Sequence, residues 1–375
     1  MATNLSIHKI VRISLFDARQ ADIDLFINRY GAIMDPDSSE TAELKIQFVD
    51  EFATEELDYL GINSVAFNAE GFYLLCQHNG FPIARIPMAQ LGESCEIVYR
   101  RGAGYPLLTE IIKLMFLKSK YVPLHASAFN FQGKNILNLA WAKGGKTSNL
   151  LAFLKAGAFY IGDEWLMLSA DGKKLLGIPY PLEISDWQLK YVPELKRYLS
   201  TSKKILFDTI HFLTWCAKLL RKVNSSKFLF VQLINHIDLK AQKLLKFKIQ
   251  PQEVFRAQLN SPIVKVDKVF FTMSHNKQDI QITETKSTDI VQKMVAANGY
   301  ELIGLIEYYR AFKFAFPYLS NPLIERYDEL QTDLLSAALK GFPCYIVKHP
   351  YPCSLDQLYE HMHLYCLREF KRIQK

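Results

Sequence analysis

Near the middle of the chain, Ala140-Trp141-Ala142-Lys143-Gly144-Gly145-Lys146-Thr147-Ser148 follows an apolar segment and leads into a helix-like one. These residue types, in this order, suit a phosphate. Glycines at 144 and 145 let the backbone fold around an anion without Cβ clashes. The amides from Lys143 to Ser148 would then sit at a helix N-terminus, where N–H groups and dipole both favour negative charge. Lys146 would reach the β- and γ-phosphates, and Thr147 would place a hydroxyl on Mg²⁺. The general pattern is G-x-x-x-x-G-K-[ST]; its first glycine is Ala140 here. The plainer alternative is a strand-to-helix turn that carries these residues without a ligand. Lys143 either adds charge to the phosphate site or is simply solvated.

Further along, Phe159-Tyr160-Ile161 reads as a buried strand that delivers Asp163-Glu164 at its end. Beside a phosphate loop, one acid can hold a metal and another can take a proton from an attacking hydroxyl. Without the loop, they would read as two solvated acids at a strand end. His125 precedes the segment 126–131, and a lone histidine is usually structural. Trp141 and Trp165 flank these residues; each either stacks on a base, guards the entrance, or is core.

The elements that must position this chemistry are strand-like and helix-like in alternation. Residues 126–131 and 135–140 read as two strands joined by a tight turn at Gly133. Residues 147–156 read as a helix with Leu150, Leu151 and Leu154 on its apolar face and Gly157 as its stop. Upstream, residues 62–67 and 72–76 flank Asn68-Ala69-Glu70-Gly71 as a hairpin, with further strands at 84–87 and 95–99 and a helix at 107–118. Downstream, a strand near 264–272 is followed by helices around 289–297, 304–315 and 354–371 and a strand near 344–347. The fold class is therefore α/β: a smaller α+β domain over residues 1–118, then a phosphate-loop domain with a mixed sheet over 119–375.

With 375 residues, 49% of them hydrophobic and 22% charged, the chain can bury a large core without disulfides. Its six cysteines form no C-x-x-C pair, which argues against a zinc site or disulfide framework and suits a reducing cytoplasm. No apolar run is long enough to span a bilayer, so no membrane is expected. The net charge of +7 permits an anionic ligand without demanding nucleic acid. The excess is concentrated in residues 190–250. Between 190 and 248, thirteen Lys/Arg stand against Glu194, Asp208 and Asp238 alone. Residues 210–220 and 228–237 there read as helices. A helical pair with a solvated cationic face is the favoured reading, over contact with nucleic acid, an acidic peptide or a membrane surface. His361 and His363, two apart on a helix, point to different faces and suggest no metal site.

Taken together, Leu124-His125-Ala126-Ser127-Ala128, Gly133, Gly144-Gly145-Lys146-Thr147, Gly157 and Gly162-Asp163-Glu164-Trp165 resemble the catalytic domain of HPr kinase/phosphorylase. The likeness is greater to the looser group of HPr-kinase-like proteins found beside biosynthetic genes. It covers residues 123–183. It implies a P-loop kinase related in fold to phosphoenolpyruvate carboxykinase. By this resemblance Asp163 is the base toward a hydroxyl, Glu164 assists Mg²⁺, His125 lies near the phosphates, and Glu183 is the nearest match to a later metal-binding glutamate. Ala140, Glu164 in place of a second aspartate, Ser185-Asp186 after Glu183, and the basic segment all depart from the family pattern. The last suggests an acceptor other than the phosphocarrier protein.

The functional expectation is an ATP- and Mg²⁺-dependent transfer of a phosphoryl group to a hydroxyl, on a serine of a peptide or protein or on a small molecule. The alternative is a nucleotide-binding scaffold or partner subunit without catalysis. A homo-oligomer is left open.

Overall fold

The computed structural model describes residues 2–35, 42–53, 56–61, 64–178, 180–223, 244–254 and 263–368. The chain opens with β1 (Ala2–Ile7), β2 (Val11–Phe16), α1 (Gln20–Tyr30), β3 (Ile33–Met34), β4 (Leu44–Val49), β5 (Asp58–Leu60), β6 (Val65–Asn68), β7 (Gly71–Leu75), β8 (Pro82–Arg85), β9 (Cys95–Arg100) and α2 (Leu108–Lys118). Among the described residues the nine strands form one sheet, in the order β3-β1-β2-β4-β9-β8-β7-β6-β5. The β6–β7 hairpin is present as expected, closed where Asn68 Oδ1 accepts from the amides of Glu70 and Gly71. In β4 the buried positions alternate, Leu44, Ile46 and Phe48, which is the period of a strand with one face on a core.

A second mixed sheet carries the residues of interest. It contains β10 (Tyr121–Phe131), β11 (Lys134–Ala140), β12 (Phe159–Gly162), β13 (Trp165–Ser169), β14 (Leu175–Gly177), β17 (Ile263–Val264), β18 (Lys268–Ser274), β19 (Gln281–Thr285) and β20 (Cys344–His349). Strand β10 pairs antiparallel with β11 and β12 near its end and with β13 near its start. Strands β11, β18 and β20 run parallel. Their mid-strand residues Leu137, Phe270 and Tyr345 are buried, as a sheet covered on both faces requires. A separate ribbon joins β15 (Leu182–Ser185) to β16 (Lys246–Ile249).

Helix α3 (Lys146–Lys155) leaves the end of β11 and buries Leu150, Leu151 and Phe153. Helix α4 (Thr201–Val223) lies in the basic segment and is longer than the helix expected there. It exposes Ile205, Phe212, Leu213 and Trp215, so its outer side is apolar as well as cationic. The second helix expected there, at 228–237, lies outside the described residues. Downstream come α5 (Ser287–Glu301), α6 (Ile303–Ala315), α7 (Tyr327–Ala338) and α8 (Leu355–Leu367). Of these, α7 was not anticipated. On α8, His361 and His363 contact the carbonyls of Gln357 and Tyr359, one turn back.

The division at residue 118 falls at the end of α2, yet the core does not divide there. One apolar cluster joins Ile13, Ile46, Ile97 and Phe116 to Trp165, Met167, Leu302 and Phe312. Phe72 of β7 meets Phe312 of α6 edge to face at 5.8 Å. The five cysteines whose side chains are described are all unpaired, and no described helix is long and apolar enough to cross a membrane.

Candidate phosphate site

The loop between β11 and α3 is a tight turn that runs through two glycines into a helix N-terminus. Ala140 pairs with Thr272 as the last residue of β11, in extended backbone. No positive φ is required of it, which is why an alanine is tolerated in place of the pattern's first glycine. The chain then turns: Gly144 N–H donates to Trp141 O at 2.8 Å, and Lys143 takes a positive φ of 61°. Gly145 follows at φ 106°, a conformation suited to glycine. Gly144 is confined for a different reason, since a Cβ there would sit 2.9 Å from Trp141 O and 3.1 Å from Thr272 O.

Among the described residues, the amides of Lys143, Gly145, Lys146, Thr147 and Ser148 meet no protein acceptor. Four of these lie at the start of α3, where positive dipole and free N–H groups coincide. Underneath, a buried polar network fixes the loop. Ser127 Oγ donates to Lys146 O at 3.1 Å, and Asn138 Nδ2 donates to Ser127 Oγ at 3.3 Å. Asn149 Nδ2 donates to Thr272 Oγ1 at 2.8 Å and to Asn138 Oδ1 at 3.3 Å. These residues tie β10, β11, α3 and β18 together.

The acids lie where β12 ends. Trp165 N–H donates to Asp163 O at 2.9 Å, and Glu164 at the apex takes φ 68°, an uncommon conformation for a residue with a Cβ. This turn sends two successive carboxylates to different partners. Thr147 Oγ1 donates to Asp163 Oδ2 at 2.9 Å, while Asp163 Oδ1 is buried without a partner. Glu164 Oε2 lies 2.9 Å from His125 Nε2. Burial pushes Asp163 up to about 7, with the neighbouring Glu164 charge adding to the rise and Lys146 and Thr147 opposing it. Burial acts the same way on Glu164, but its hydrogen bond to His125 and the charge of Lys146 outweigh it and hold that carboxyl below its usual range. Lys146 is lowered by burial, against the pull of Glu164, Asp163 and Glu301.

The tertiary structure changes the place of three expected residues. His125 lies inside β10, opposite Trp165 of β13, rather than ahead of the strand. Its second nitrogen, Nδ1, is 3.1 Å from Glu301 Oε1 at the end of α5, too far off line for a hydrogen bond, so this contact is an ion pair. Burial disfavours the charged ring, yet the two carboxylates outweigh it and raise His125. Both its nitrogens therefore face carboxylates, and its ring fixes the direction of Glu164. The Ser148 hydroxyl accepts from Gln188 Nε2 at 3.2 Å, which ties it to the turn after β15 while its own proton stays free to donate. The Glu183 carboxylate pairs with the Lys246 ammonium across the β15–β16 ribbon and is not brought into the acid cluster. Lys143 is exposed at its turn.

Two charged residues with no motif around them join the site. Glu301 is one. Lys113 of α2 is the other, with Nζ 3.1 Å from the centre of the Trp165 ring. Burial pushes Lys113 down to about 8, while Glu110, Glu301 and Glu164 pull it back. The two tryptophans separate cleanly. Trp165 is buried and stacks on His125 at 5.3 Å, whereas Trp141 is 43% exposed and leans on Tyr300 at 4.8 Å. No protein-family model matches this chain, and no curated protein matches it.

Proposed function

We propose that the chain binds a nucleoside triphosphate, ATP in the first instance, through residues 143–148 and transfers its terminal phosphoryl group to a hydroxyl. The observation that carries this reading is the set of unpaired amides at 143 and 145–148, in one loop with the buried Lys146, whose charge acts on Asp163 and Glu164. Free amides begin every helix; here they share one glycine turn with a buried lysine, and that concentration of positive charge suits a phosphate. The resemblance to HPr-kinase-like proteins favours the same reading.

Mg²⁺ fits the oxygens present. Thr147 Oγ1 and the Glu164 carboxylate are hard donors for the ion, while Asp163 Oδ1, without a protein partner, is left to take a proton. Among the described residues no group of three or more His, Cys, Asp or Glu forms a cage. Mg²⁺ is usually held by one or two carboxylates together with phosphates and water. When bound, Mg²⁺ would neutralise charge on the phosphates. The chain's own residues do the rest. The amides orient the phosphates and Lys146 holds the terminal one. Asp163, raised to about 7, is the base. The acceptor hydroxyl gives its proton to Asp163 as its oxygen bonds to phosphorus. The bond from phosphorus to the bridging oxygen breaks, and the nucleoside diphosphate leaves. The acceptor is a serine of a peptide or protein, or a small alcohol.

The test is calorimetric ATP binding together with ADP release in the presence of Mg²⁺ and a panel of hydroxyl acceptors. Lys146→Ala should abolish binding. Asp163→Asn should still bind ATP but lose acceptor-dependent ADP release by roughly a hundredfold or more, the usual weight of a general base. Unchanged ATP affinity in Lys146→Ala would sink the nucleotide reading. Tight ATP binding with no turnover on any acceptor would favour the non-catalytic scaffold.

A further inference from the structure

We propose that His349 is the positioning residue that sets the phosphate loop in its anion-receiving form, an inference that rests on the nucleotide-binding reading above. His349 ends β20, two strands from β11, and its side chain is buried beneath the loop at 1% exposure. Its Nε2 lies 3.2 Å from Gly144 O. A carbonyl only accepts, so the contact is favourable when Nε2 carries a proton. The other nitrogen, Nδ1, lies 2.6 Å from Pro350 O. A ring protonated on both nitrogens satisfies both carbonyls, and one protonated on Nε2 satisfies the loop.

The peptide joining Gly144 to Gly145 is planar and trans, so its C=O and N–H point in opposite directions. Holding Gly144 O toward His349 therefore turns the Gly145 N–H the other way. That amide is one of those without a protein acceptor. The closeness of the ring also explains the residue at 145, because a Cβ there would run into the imidazole as well as straining φ at 106°. His349 and Gly145 thus form one device: the histidine fixes the peptide, and the glycine leaves room for the histidine.

The test uses the full chain and two probes, ATP and inorganic tripolyphosphate, measured by calorimetry on wild type, His349→Leu and His349→Gln. Glutamine keeps a donor at a similar reach; leucine keeps bulk and loses the donor. His349→Leu should weaken both probes alike by roughly fivefold or more, the weight of one hydrogen bond, and His349→Gln should stay within about twofold of wild type. In turnover, KM for ATP should rise with kcat changed less. Nitrogen-15 spectra of the wild-type ring should show Nε2 protonated. Wild-type affinity for both probes in His349→Leu would overturn the proposal, as would an Nε2 without a proton. If the leucine variant does not fold, the ring spectrum and the glutamine variant decide. A wild-type chain that binds neither probe defeats the nucleotide reading instead, and the His349 assignment then stands or falls on the Nε2 proton.

Discussion

Asp163 is fully buried, with one oxygen bonded to Thr147 and the other unpaired. Its raised value makes ionisation a cost to the folded state. Its folded pKa, about 7, lies above the ordinary carboxylate value, so the contribution of this group to stability is most favourable at acid pH and falls as pH rises from about 4 through 7. Asp163→Asn should therefore raise Tm over wild type clearly at pH 8 and much less at pH 4. An equal increment at both would contradict this account. His125 obeys the opposite logic. Glu164 and Glu301 raise it above its ordinary value, so its contribution is present at acid pH and lost as pH rises through the folded value. Glu301→Gln should lower the His125 titration midpoint, as read by proton NMR. An unmoved midpoint would show that Glu164 alone holds the ring.

At the scale of elements, the loop is a junction of β10, β11, α3 and β18, fastened by Ser127, Asn138, Asn149 and Thr272. Burying these polar groups is tolerable because nearly all of them bond one another, Asn149 Oδ1 being the exception. Gly145 sits where this junction meets β20. Gly145→Ala adds left-handed strain and a collision with His349. It should cost about 1–3 kcal/mol in urea unfolding and weaken ATP binding. A variant as stable as wild type, with full ATP affinity, would show that the loop has room this structure denies it.

At the scale of the whole molecule, the first sheet is a structural partner of the site. Lys113 of α2 reaches the Trp165 ring, and Trp165 stacks on His125. Phe312 of α6 packs against Phe72 of β7. Phe312→Ala should cost about 3–5 kcal/mol. Because the core is shared, wild type should unfold in one transition followed equally by fluorescence and circular dichroism. Two separated transitions would mean that the sheets fold independently.

Much of the local chemistry was legible along the chain. Lys146, Thr147 and Asp163 lie in short segments whose order of strand, loop, helix and strand end follows from apolar spacing and glycines, both local properties. The hairpin at β6–β7 and the start of α3 were readable on the same grounds. His349, Glu301 and Lys113 were not. They lie 203, 155 and 33 positions from Lys146, with no motif of their own, and only the pairing of β20 beside β18 and the packing of α5 and α2 bring them to the loop. The same holds for Glu183, whose apparent match to a metal ligand gave way to a cross-strand partner, Lys246, that follows a long intervening segment. Sequence by itself determined that glycines, a lysine and a hydroxyl stand together between a strand and a helix, because backbone freedom and side-chain charge are local. Tertiary structure decided which groups set their charge and orientation, because burial and carboxylate neighbours depend on segments far apart in the chain.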